Sequence, residues 1–137
     1  EAARITERFI HEPNLSFYGA VYGSYAFSML GESERGQALL QKALPRFELD
    51  SWQKSMLDFA QGKLSESTFI NLAENRCEES EARLLLGLEK QRQGKQEEML
   101  RHYRKILELD VKSFYEYATA RNILKRYEKQ NNAHLGI

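Results

Sequence analysis

Cys77 is the only cysteine in the 137-residue chain, so any thiol chemistry would have to rest on that one sulfur. A nucleophilic cysteine needs a histidine base within reach and a site that favours the thiolate. No Gly-rich elbow or protease-type signature surrounds Cys77, and the residues that follow it are Glu78 and Glu79. The expected role is an incidental or structural thiol. His11, His102 and His134 are the three histidines. They lie far apart in sequence and form no i, i+4 pair and no His-x-x-Glu-His pattern, so no zinc-type site is expected. The acidic pairs Glu78-Glu79 and Glu97-Glu98 have the residue type of a general acid. Each also stands where a helix would begin, and the helix dipole alone favours carboxylates there. The reading is therefore of a chain with no catalytic residues, no metal ligands and no cofactor, and not an enzyme.

One basic cluster raises nucleic-acid binding: Lys90, Arg92, Lys95, Arg101, Arg104 and Lys105, with Tyr103 inside it. Helical spacing divides these residues between faces, and Glu89, Glu97, Glu98 and Glu108 interleave with them, which favours a solvated helix with local ion pairs. Twenty basic residues balance twenty acidic ones, so no net field draws the chain to nucleic acid or an anionic membrane. RNA binding is the weakest of the functional readings. The segment Phe17-Tyr18-Gly19-Ala20-Val21-Tyr22-Gly23-Ser24-Tyr25 is of another kind, with more aromatic surface than one helix face buries. It fits either a core or an interaction surface, because hot spots are built from aromatic anchors too.

The elements that hold these residues are helices. Two prolines and an abundance of Leu, Ala, Glu, Lys, Arg and Gln leave no strand worth assigning. No apolar run approaches the roughly 20 residues of a spanning helix. A single cysteine excludes a disulfide framework. The chain opens on Glu1 rather than Met, which leaves room for a cleaved signal, a lipid anchor or a whole upstream domain ahead of it.

Glycine punctuation sets the period. Gly31, Gly62 and Gly94 recur at about 31 to 32 residues, each between two amphipathic patterns, and each suits the left-handed residue that ends a helix. The residues around them resemble the tetratricopeptide repeat (TPR), a 34-residue helix-turn-helix unit with an L-G pair, small residues where its helices touch and a closing proline. Between Glu81 and Asp110, Leu86-Gly87 supplies the pair, Gly94 the turn and Tyr103 the second helix's aromatic. Met99 and Ile106 stand where alanine is usual, and Lys90 stands in place of the first helix's aromatic. Aligning Gly31 to the same turn puts Ser24, Gly36 and Ala43 at the three small positions and Phe27 at the first helix's aromatic. In the middle, Trp52, Met56 and Phe59 have helical spacing, and Trp52 and Phe59 fit the repeat if the turn at Gly62 is one residue shorter; Ser65 then caps a short second helix.

The expected fold is all-α: antiparallel helix-turn-helix repeats stacked as a short TPR-like superhelix with a C-terminal capping helix. Within a single domain over 1–129, residues 1–13 read as the second helix of an earlier repeat, ending in Pro13. Residues 17–46, 51–75 and 80–110 form repeats, 113–129 the capping helix, and 130–137 a frayed tail.

From Trp52 to Leu124 the order of landmarks is more particular: Trp52, Phe59-x-x-Gly62-Lys63-Leu64-Ser65-Glu66, Cys77-Glu78, Glu81-Ala82, Leu86-Gly87, Gly94, and Phe114-x-Glu116-Tyr117-x-x-Ala120-x-x-x-Leu124. This resembles the later part of bacterial TPR lipoproteins of the new-lipoprotein-I (NlpI) type. Such a resemblance implies a helical adaptor, often lipid-anchored to the outer membrane, that serves envelope proteases or peptidoglycan hydrolases. Localisation would then be periplasmic or at the outer membrane, and otherwise cytoplasmic.

The functional expectation is a non-catalytic scaffold that binds a peptide or partner protein on the concave face of its repeats, with homo-oligomerisation left open. The alternative is an accessory or sensor domain of a larger protein. The repeat register assigns Tyr18, Tyr25 and Met29 to the concave side in the first copy, and Leu84, Leu88, Gln91 and Arg92 in the third. A largely apolar groove follows, with Gln91 and Arg92 at its edge to orient a peptide carbonyl or carboxylate.

Overall fold

The structure, a computed structural model, describes residues 17–112 and 115–134. The reading of residues 1–13 as part of an earlier repeat lies outside them. Among the described residues the chain is all helical, with seven α-helices, one 3-10 turn and no strand. It divides between Ser65 and Glu66 into two compact units. The division falls inside the span expected for the middle repeat.

In the first unit, α1 (Phe17–Met29) buries Phe17, Ala20, Val21, Gly23, Ser24, Tyr25 and Phe27. Burial on so many sides is what a helix apolar nearly all round requires. It ends in a Schellman motif. Gly31 turns left-handed at φ 76°, its N–H bonds Ser28 O at 3.0 Å, and Glu32 N–H reaches back to Phe27 O at 2.9 Å. The chain then reverses into α2 (Ser33–Ala43), which packs against α1 and buries Gly36, Leu39, Leu40 and Ala43, one stripe of its surface. Pro45 sits in the first positions of a 3-10 turn, Leu44–Arg46, that closes the hairpin. Next, α3 (Ser51–Ala60) opens on a capping box: Gln53 N–H donates to the Asp50 carboxylate at 2.8 Å while Asp50 N–H donates to Gln53 Oε1 at 3.1 Å. It buries Trp52, Met56 and Phe59 at helical spacing.

The turn at Gly62 is of the same kind as that at Gly31. Gly62 has φ 78°, and Lys63 N–H bonds Asp58 O at 2.8 Å. Contrary to the expected shorter turn, three residues follow the glycine before the next helix, where one follows Gly31 or Gly94.

The second unit begins with α4 (Glu66–Asn71), a single short helix directly after Ser65 that buries Phe69 and packs against α5. α5 runs Arg76–Arg92, starting four residues earlier than the repeat pattern suggests. The reason is local: Asn75 caps it, accepting from Glu78 N–H at 2.9 Å and donating to the Glu78 carboxylate at 2.7 Å. Gly94, φ 75°, repeats the Schellman turn, with Lys95 N–H on Lys90 O at 2.9 Å. α6 (Gln96–Leu109) packs back along α5 and buries Met99, Leu100, Tyr103 and Ile106. Asp110 ends it in the left-handed region at φ 56°. α7 (Tyr115–His134) covers α6 and touches α5. It buries Glu116 and Ala120 and grows exposed beyond them.

The helix continues through residues 130–134, where the sequence suggests fraying. Once a long helix is nucleated, each added residue gains a backbone bond at modest cost, even with Asn131 and Asn132 exposed.

Candidate functional site

Two hairpins carry the residues assigned to binding. In the first, Ser24 and Gly36 set the approach of the helices. A Cβ built on Gly36 would stand 2.6 Å from the Ser24 carbonyl oxygen, so only glycine lets α1 and α2 come this near. Ser24 turns its hydroxyl back onto Val21 O at 2.7 Å and needs no partner across the interface. In the second, Gly87 meets the Tyr103 ring. Ser24 and Gly87 stand at the same offset, seven residues before their turn glycines.

Of the seven residues expected to line a groove, Leu84 is 1 % exposed and Tyr25 is 5 % exposed, so both side chains serve the core. Tyr18 and Leu88 are half-buried, Met29 is 37 % exposed, and Gln91 and Arg92 are exposed. Within the first unit, Tyr18 stacks edge-on with Phe17 at 5.4 Å and lies 6.3 Å from Tyr22. Phe17 in turn meets Phe47 at 6.3 Å. The aromatic segment is therefore mixed: Phe17 and Tyr25 are core, Tyr18 and Tyr22 are at its edge. Within the second unit, Leu88, Gln91 and Arg92 follow one another along the end of α5. Arg92 Nε donates to Glu89 at 2.9 Å, and Gln93 donates to the same carboxylate at 3.0 Å. Burial works to raise the Glu89 pKa, but the Arg92 and Gln93 bonds outweigh it and hold the carboxyl below its ordinary range.

Three of the six cations in the basic cluster, Lys90, Arg92 and Lys105, are paired with carboxylates. Lys90 lies at the position where the repeat usually has an aromatic, and its side chain is 12 % exposed. Its ammonium sits 2.9 Å from Glu66 of α4 and 3.1 Å from Glu98 of α6. The hydrogen bond to Glu66, ahead of the one to Glu98, holds its pKa above the usual lysine range. Lys90 does the same in reverse for Glu98, whose pKa is lowered. Lys105 pairs with Glu108 at 3.2 Å. The interleaved carboxylates in the sequence suggest a solvated face for Lys90. The signal was its repeat position, since a cation in an aromatic's place demands carboxylates around it.

His102 is half-buried, and its Nδ1 stands 3.2 Å from Arg83 Nη1. Guanidinium only donates, so Nδ1 is the acceptor and the neutral ring carries its proton on Nε2. Burial first, and then the Arg83 charge, push its pKa down to about 4. Arg83 also reaches Glu79 at 3.5 Å, while its Nε is buried with no hydrogen-bond partner.

Cys77 is exposed in the first turn of α5. Glu78 is engaged with its cap, and Glu97 is exposed in the first turn of α6. His11 lies outside the described residues, as does the side chain of His134. Among the described residues no group of three or more His, Cys, Asp and Glu could hold a metal ion, and no helix is long and apolar enough to cross a membrane. The first unit also carries an open depression of about 430 Å³, lined by Phe27, Ala38 and Leu39 and edged by Arg35, Gln41 and Lys42. Arg35 stacks over the Phe27 ring at 5.0 Å and pairs with Glu32 at 3.1 Å. Comparison with protein-family models, curated proteins and solved structures gives no match.

Proposed function

We propose that this chain is a non-catalytic protein-binding scaffold built from TPR-like helix hairpins. The observation that carries the reading is the repetition of one hairpin design. In two hairpins a first helix ends at a left-handed glycine closed by the same pair of backbone bonds, and the residue seven positions earlier, Ser24 or Gly87, lies tight against the second helix. Repeated hairpins of this kind serve as frameworks that present side chains to partners, and the step from such a framework to binding is one of architectural analogy.

The proposed contact surface in the second unit is the end of α5, where half-buried Leu88 supplies apolar contact and Gln91 and Arg92 supply polar contacts that orient the partner. In the first unit Tyr18 and Met29 have the corresponding role. Leu84 and Tyr25 support these surfaces from beneath. The pairing of Lys90, Arg92 and Lys105 with carboxylates weakens the case for RNA, which needs free cations along its backbone.

The test is capture of partners from a lysate of the source organism by the parent chain and by a Leu88→Asp, Arg92→Glu variant. Loss of captured protein with an unchanged circular-dichroism melt supports the reading. Undiminished capture by a folded variant overturns this surface.

A further inference from the structure

We propose that the seat of α4 on α5 is a helix-docking site, occupied in this structure by the chain's own α4, and that it takes a partner helix with a carboxylate one turn ahead of an aromatic residue, as Glu66 and Phe69 stand in α4. The proposal rests on the scaffold reading and names a partner chemistry and a regulation for it.

α4 is six residues long. Isolated helices shorter than about 12 residues are marginal in water, so α4 owes its form to what it docks on. Two anchors are described: Phe69, fully buried, and Glu66, whose carboxylate lies 2.9 Å from Lys90 Nζ. They are three residues apart and so share one face of the helix. Its flanks are built for independence from the neighbouring helices. Gly62 ends α3 before it, and Asn75 starts α5 after it with a cap of its own. An element this short, with separate stops on both sides, is a local unit that can open without unwinding the helices before and after it.

The seat does not collapse electrostatically when α4 leaves. Lys90 is held from the other side by Glu98 at 3.1 Å, so its ammonium keeps one carboxylate and stays poised for another. Helix-in-groove recognition reads anchors at i and i+3 on an amphipathic helix, and α4 shows which anchors this seat accepts. Charge complementarity fixes the first anchor as acidic. Regulation follows from the same contacts: α4 and the partner compete, so the site is closed in cis until a helix already formed in its own protein, which costs less to order, displaces it.

The experiment uses the full chain and a fluorescein-labelled synthetic peptide of residues 62–75 as the probe, read by anisotropy. Glu66→Gln with Phe69→Ala weakens the occupant in cis and leaves the seat intact. That double variant is expected to bind the probe about tenfold or more tighter than the parent. Adding Lys90→Glu is expected to remove the gain, as is a probe with alanine in place of the phenylalanine. Equal binding, or none, by parent and double variant overturns the proposal if the double variant still melts cooperatively. A double variant that fails to fold overturns it as well, because α4 is then an integral part of the unit. Either failure leaves the surface at Leu88 and Arg92 untouched, and that surface is judged by the capture experiment.

Discussion

The ring of Tyr103 in α6 occupies the space that a side chain on Gly87 in α5 would need: a Cβ there would stand 2.8 Å from Cζ and 3.0 Å from Cδ1. Tyr103 is fully buried and cannot swing aside. Gly87→Ala is therefore expected to destabilise the second unit by about 1 to 3 kcal/mol through overpacking. Tyr103→Leu in the same chain should recover part of that loss. A double-mutant cycle in urea checks it, and additive effects would mean the two residues do not determine each other.

Gly36→Ala is expected to cost a similar ~1 to 3 kcal/mol, but without rescue. The obstacle there is the backbone carbonyl of Ser24, at 2.6 Å, which no side-chain change removes. The loss caused by Gly36→Ala in thermal melts should be the same in the parent and in a Ser24→Ala background.

The Tyr103 hydroxyl is buried with no hydrogen-bond partner, and burial raises the phenol pKa far above its usual value. An unsatisfied buried hydroxyl costs about 1 to 3 kcal/mol. Tyr103→Phe should therefore keep the ring contact with Gly87 and raise stability, by about 1 kcal/mol on that scale. A lower denaturation midpoint for Tyr103→Phe would mean that the hydroxyl has a partner.

His102 predicts a pH dependence. Its pKa is about 4 in the folded chain, against an ordinary 6.5, so between these values the unfolded chain binds a proton that the folded chain refuses. Stability then rises with pH across that window. The contribution is complete above about pH 6.5 and is lost as pH falls toward 4. The ring is only half-buried, so solvent screening reduces the effect to the order of 1 kcal/mol. His102→Gln should flatten urea stability between these two pH values, and an unchanged slope would place the ring in solvent.

Two helix ends predict opposite signs. Gly94→Ala forces a β-carbon into φ 75° with open space around it, so backbone strain alone should cost about 1 kcal/mol. Asp110→Gly relieves the same kind of strain at φ 56° and should gain roughly 0.5 kcal/mol. Paired calorimetric melts against the parent check both.

The sequence by itself determined the helical class and the places where the chain turns. Both are local. Propensity excluded strands, and a left-handed helix end has few residues that tolerate it, so Gly31, Gly62 and Gly94 could be read without knowing what packs where. The stripe Trp52-Met56-Phe59 was legible for the same reason, since helical period turns spacing into a face. What only tertiary structure decided was which of the apolar faces stays outside. Leu84 and Leu88 lie one turn apart on α5, yet Leu84 is core and Leu88 is half-buried, because burial depends on what other elements cover each position and not on the spacing of the leucines. Lys90 makes the same point for charge. Its sequence neighbours suggest a solvated cation, and only the arrival of Glu66 and Glu98 from two other helices gives this largely covered side chain carboxylates to pair with. Local chemistry fixes where helices begin and end; long-range packing fixes what each side chain meets, and the candidate site is made of the second kind of fact.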